Sequence, residues 1–89
     1  MLDATTFGRL ARAARIMAGY DRQQEAAEAF NGLRDFTISV RTLGAVERGE
    51  VVPTVEFLMA ATAVYNPPGG LAYWVAAVRD DMRQLVLGP

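Results

Sequence analysis

The segment from Ile38 to Thr54, ISVRTLGAVERGEVVPT, leaves the backbone few choices, because its start, its stop and its buried side are each marked by a residue type. Ser39 suits an N-cap: its hydroxyl can accept an orphan amide hydrogen from a first turn made of Val40, Arg41 and Thr42. Leu43 and Val46 share a side with Ile38, which predicts one face anchored in a core. The other side holds Val40, Arg41, Gly44, Ala45 and Arg48, residues that are small or carry a guanidinium and are expected at the surface. Gly49 supplies the left-handed residue that ends the helix, and Pro53 prevents it from resuming until Thr54 caps the next one. The spacing predicts a short surface helix, closed at both ends.

Helical periodicity continues on both sides. Thr5 and Thr6 are cap candidates ahead of a first helix with Phe7, Leu10, Ala11, Ala14 and Met17 as its apolar stripe, ending near Ala18 with Gly19 as its stop. Its polar face holds Arg9, Arg12 and Arg15, either a solvated basic face or a phosphate-contacting one. Tyr20 is expected in the core. Asp21 is expected to cap a second helix over 22–30 with Ala26, Ala27, Ala29 and Phe30 inside. Thr54 opens a fourth helix whose stripe reads Val55, Leu58, Met59, Thr62 and Tyr65, widened by Phe57, Ala61 and Val64. Asn66-Pro67-Pro68-Gly69-Gly70 breaks the chain. A fifth helix is predicted over 71–86, with Leu71, Trp74, Val75, Val78, Met82 and Leu85 on one side and Arg79, Asp80 and Arg83 on the other. The expected fold is all-α, a compact bundle of about five helices forming one small domain over 1–89.

At this point a resemblance can be stated. Ser39, Thr42, Leu43, Val46, Glu47, Arg48, Gly49, Pro53 and Thr54 together resemble the recognition helix and following turn of the Cro/C1-type (XRE-type) helix-turn-helix family of phage repressors and bacterial regulators. Glu47-Arg48-Gly49 shortly before Pro53-Thr54 is its most specific part, and the likeness extends from about Thr6 to Tyr65. The resemblance implies that the second helix lies across the DNA backbone, with Gln23 or Gln24 on a phosphate. It also implies that Glu47 braces the domain through an arginine of the first helix, Arg12 or Arg15. One departure stands out: Asn31 to Thr37 replaces the usual turn of three or four residues and is roughly four or more residues longer. Leu33 and Phe36 are expected either to extend the second helix or to fold the insert onto the core.

A site follows from these residues. A major groove admits an α-helix, and Arg41 is the natural bidentate partner for guanine O6 and N7, a pairing worth ~1 to 3 kcal/mol against the wrong base. Ser39 and Thr42 can hold phosphates or base edges, and Val40 and Ala45 can pack on thymine methyls. Arg22, Gln23, Gln24, Arg34 and Arg48 are the backbone-contact candidates. The expected partner is a double-stranded DNA operator in inverted repeat, bound by a homodimer joined through Trp74, Val78, Met82 and Leu85; Trp74 alternatively closes the core. No cofactor and no membrane are expected, and the expected location is the bacterial cytoplasm, on the nucleoid.

Composition narrows the alternatives. The chain has no cysteine and no histidine, which removes thiolate metal sites together with the commonest general base, so an enzyme is not expected. Asp80-Asp81 is read as a solvated face rather than a catalytic pair. The net charge of −1 argues against a protein that coats nucleic acid without regard to sequence. Positive charge is nevertheless concentrated around the central helix. Met1 to Arg48 holds seven arginines against six acids, and Gly49 to Pro89 two against four. The leading expectation is a sequence-specific transcriptional regulator of the small repressor kind. Its alternative is a protein-interaction module, such as an antitoxin, that keeps the fold and uses its helices on another protein.

Overall fold

The computed structural model describes residues 4–75 and is all-α over that range, with no strand. Four helices run in order: α1 (Ala4–Met17), α2 (Gln23–Asn31), α3 (Val40–Glu47) and α4 (Val55–Tyr65). A further helical stretch at 72–75 opens where a fifth helix is expected, and the remainder of that expected helix lies outside the described residues. Among the described residues no helix is long and apolar enough to cross a membrane.

Phe30 is the hub of the core. Its ring is fully buried, 5.5 Å from the centroids of Phe36 and Phe57 and edge-on to Tyr65 at 5.3 Å. Phe7, Ala11 and Ala14 come from α1, Ala26 and Ala27 from α2, Leu43 and Val46 from α3, and Phe57, Ala60 and Ala61 from α4. Each fully buried large side chain contributes ~1.5 to 3 kcal/mol, and the alanines let the backbones approach. The closest approach is at Gly8, where a Cβ would stand 2.6 Å from the Glu47 carbonyl oxygen and 2.7 Å from that of Val46. α1 therefore lies directly on the C-terminal turn of α3. That contact sets the tilt of α3.

Several expectations need correction. Ala4 is already helical, so Thr5 and Thr6 lie within the first turn of α1 and not at its cap. Met17 is exposed, because α1 turns Phe7, Ala11 and Ala14 inward and its last turn runs past the core. The N-cap of α2 is Arg22, not Asp21: the Glu25 carboxylate accepts the Arg22 amide hydrogen at 3.0 Å. Asp21 instead gives its carbonyl to Arg15. Val55 and Met59 do not face the core, since α4 points Phe57, Ala60, Ala61 and Tyr65 inward and leaves that pair in solvent. Trp74 is core, 3 % exposed, stacked near Phe7 at 6.5 Å and donating its indole N–H to Thr62 Oγ1 at 3.0 Å. It is not available as a dimer contact. Val78, Met82 and Leu85, its companions in that expectation, lie outside the described residues.

The lengthened connection between α2 and α3 folds back. Leu33 and Phe36 are half-buried against the core, while Arg34, Asp35 and Thr37 face solvent. Asn31 closes the loop with both ends of its amide: Oδ1 accepts the Ile38 N–H at 2.7 Å and Nδ2 donates to the Ile38 carbonyl at 3.1 Å.

Candidate nucleic-acid interface

The sequence cues around α3 meet in one turn. Ser39 caps it, its hydroxyl accepting the Thr42 amide hydrogen at 3.1 Å and donating to Thr42 Oγ1 at 3.0 Å. Leu43 is fully buried, and Val46 and Ile38 are buried beside it, so the helix cannot rotate about its axis without exposing them. Val40, Arg41 and Thr42 consequently face outward together with Ser39. Arg41 makes no ion pair among the described residues, so its guanidinium keeps its full set of donors. Ala45 is half-buried at the edge of this face.

Gly44 is not on the open side as expected. It is buried, and a Cβ there would come within 2.9 Å of Arg48 Nη1 and 3.1 Å of Gln23 Oε1. The absence of a side chain lets α2 and Arg48 close over this point. At the helix end, Gly49 has φ +76° and packs on Thr5, where a Cβ would be 2.9 Å from the Thr5 Cα; the stop read from sequence is thereby also a seat for α1.

Beneath this turn lies a buried ion pair. Arg15 Nε donates to Glu47 Oε2 at 2.7 Å and Nη2 donates to Oε1 at 3.1 Å, a two-pronged fork between α1 and the last residue of α3. Arg15 Nη1 also donates to the carbonyls of Tyr20 and Asp21 at 2.8 and 2.9 Å, and Gln23 Nε2 donates to Glu47 Oε1 at 3.2 Å. The hydrogen bond to Glu47 raises the Arg15 pKa above its ordinary value, against the lowering effect of burial. Arg15 is thus the bracing arginine, and it does not belong to a solvated basic face. Gln23 is drawn inward by the same carboxylate.

An open cleft of about 420 Å³ adjoins this network, bounded by Arg12, Asp21, Arg22, Gln24, Val40 and Arg48. Glu47 neutralises Arg15, and Glu50 pairs with Arg48, which leaves Arg12 and Arg22 as the arginines of the cleft without an ion pair among the described residues. Arg22 and Gln24 also border a second recess of about 450 Å³ with Asp21, Glu25 and Glu28. The outward side of α2 is therefore acidic, while on the side shared by α1 and α3 Asp21 offsets only part of the charge of Arg12 and Arg22 and leaves a small positive excess. Arg34 stands exposed on the 32–37 connection.

Sequence reasoning missed the Asn31 clamp and the burial of Gly44. Asparagine after a helix reads as a stop, and glycine beside arginines reads as surface; neither type by itself signals the long-range partner found here.

Fold and site together define a small all-helical domain that presents the first turn of a capped, core-anchored helix next to a modestly basic cleft. Compared with known proteins, the chain matches no family model, no curated sequence and no solved structure.

Proposed function

We propose that this chain is a sequence-specific double-stranded DNA-binding regulator of transcription, acting as a small repressor on the bacterial nucleoid in the manner of the Cro/C1-type helix-turn-helix proteins it resembles. The observation that carries this reading is the outward first turn of α3, Ser39 to Thr42, held in one orientation by Leu43 and Val46. Arg41 reads a guanine through its fork, Val40 meets a thymine methyl, and Thr42 donates to a base edge or phosphate. Arg12, Arg22 and Gln24 take the sugar-phosphate backbone beside α3, with Arg34 on the following phosphates. The Arg15–Glu47–Gln23 network stiffens the support behind this face; it touches no base.

Selection from a pool of random duplexes tests the reading. A consensus site should emerge, and Arg41→Ala should bind it about 10-fold or more weakly and lose preference at the guanine position, in line with ~1 to 3 kcal/mol for a bidentate contact. Failure to retain any duplex at low salt would instead favour a protein-interaction module, a reading supported by the exposed apolar side of α4.

A further inference from the structure

Asn31, which closes the loop before α3, is followed by Gly32. A side-chain amide in that position is open to attack by the next backbone nitrogen, because glycine has no Cβ to stand in the way. The chain's other asparagine, Asn66, precedes Pro67, whose nitrogen carries no hydrogen, and is closed to this route. The backbone does not demand glycine at position 32. Its φ of −77° and ψ of −13° lie in the right-handed region that any residue adopts, and a Cβ there would meet only the Ala29 and Glu28 carbonyl oxygens, at 3.3 and 3.8 Å. Both residues are exposed, so water reaches them. Each reacting group is nevertheless engaged. The Gly32 N–H donates to the carbonyls of Glu28 and Ala29 at 3.1 and 3.2 Å, and the Asn31 amide is spread across the Ile38 backbone.

We propose that Asn31-Gly32 is a latent modification site: spontaneous deamidation there, held off while the last turn of α2 is formed, unlatches the entry to α3 once it occurs. The only co-reactant is water. The Gly32 nitrogen gives its proton to solvent and bonds to Asn31 Cγ; the Cγ–Nδ2 bond breaks, and ammonia leaves with a proton from solvent. Water then opens the resulting succinimide at either of its two C–N bonds. In sum, an amide and water become a carboxylic acid and ammonia, with nothing oxidised or reduced. One opening gives aspartate, which keeps an acceptor for the Ile38 N–H but turns a carboxylate oxygen toward the Ile38 carbonyl, where a donor stood. The other gives isoaspartate, in which the main chain runs through Cβ and Cγ. That extra carbon withdraws the clamp from Ile38 and carries Gly32 away from Glu28 and Ala29. Fraying of this single turn frees both reacting groups together, so the reaction records how often the end of α2 opens.

Ageing the full chain with and without urea tests this, with mass spectrometry of the tryptic peptide 23–34 between Arg22 and Arg34 as the readout. Conversion should run about 10-fold or more slowly in the folded chain than in urea, since it follows the population of the open form. In urea, Gly32→Ala should convert about 10-fold or more slowly than the parent, because its Cβ hinders the attacking nitrogen. The added negative charge allows the converted chain to be separated by ion exchange. Its isoaspartyl form should exchange the Ile38 amide hydrogen about 10-fold or more faster than the parent. Equal conversion with and without urea, undiminished conversion in Gly32→Ala, or an isoaspartyl chain whose Ile38 amide exchanges as in the parent would each overturn the proposal. DNA is absent from every arm, so the outcome leaves the proposed function to its own test.

Discussion

Tyr65 holds a hydroxyl that is buried and has no hydrogen-bond partner among the described residues, close enough to Glu47 and Arg15 to feel both charges. Burial, and after it the Glu47 carboxylate, push its pKa well above the ordinary tyrosine value. The unfolded chain releases that proton from about pH 10 upward while the folded chain retains it, so stability is full below pH 10 and falls as pH rises beyond it. Tyr65→Phe removes an unsatisfied polar group at nearly constant volume. It should leave stability unchanged or raise it by about 1 kcal/mol at neutral pH and flatten the alkaline decline in urea titrations. Some decline should persist, because burial also raises Tyr73, whose hydroxyl donates to the Leu10 carbonyl. A variant more than about 1 kcal/mol less stable at pH 7 would show that the hydroxyl is needed. Sequence predicts Tyr65 in the α4 stripe but says nothing of its hydroxyl, since an orphaned group is defined by what surrounds it. The brace on Glu47 was legible only as Arg12 or Arg15. Arg15 is selected because, beyond meeting Glu47, it reaches the Tyr20 and Asp21 carbonyls at the turn.

At the level of elements, helices marked by local chemistry are the ones that sequence places well. α3 begins after Ser39 and α4 after Thr54 as expected, because a cap is a bond between neighbours. Rotation of α4 about its axis is a different matter. VEFLMAATAVY is apolar nearly all round, so several stripes fit equally well, and only the positions of Phe30 and Tyr20 against Tyr65 decide which one is inside. The connection between α2 and α3 is intermediate: Leu33 and Phe36 signal that it folds back, but its closure by Asn31 does not follow from residue type. Asn31→Ala removes both clamp bonds and leaves the Ile38 amide and carbonyl without these partners. It should cost about 1 to 3 kcal/mol in urea unfolding and speed hydrogen exchange at the Ile38 amide in particular. If exchange at Ile38 matched the parent, the clamp would not be what holds the entry to α3.

For the molecule as a whole, the sign and spread of charge limit how it can meet a polyanion. The chain carries −1 overall, and Glu25 and Glu28 make the outward side of α2 acidic, so nonspecific attraction is weak and one orientation is favoured. The arginines without an ion pair among the described residues are Arg9, Arg12, Arg22, Arg34 and Arg41, and the proposed function divides the last four into phosphate and base roles. If three guanidiniums of each copy meet phosphates, binding should lose about 2.7 decades of affinity per decade of salt for each copy bound, since each neutralised phosphate contributes about 0.9 to the slope. The two roles then separate in one titration series. Arg22→Ala should reduce the slope by about 1 per copy and weaken binding alike on the consensus and on unrelated duplexes, whereas Arg41→Ala should leave the slope nearly intact and weaken the consensus alone. Equal slopes for the parent and Arg22→Ala would remove the cleft beside α3 from the backbone contact. A slope lost with Arg41 would make that residue a phosphate ligand, and base readout would then have to come from Val40 and Thr42, whose short side chains offer far less discrimination.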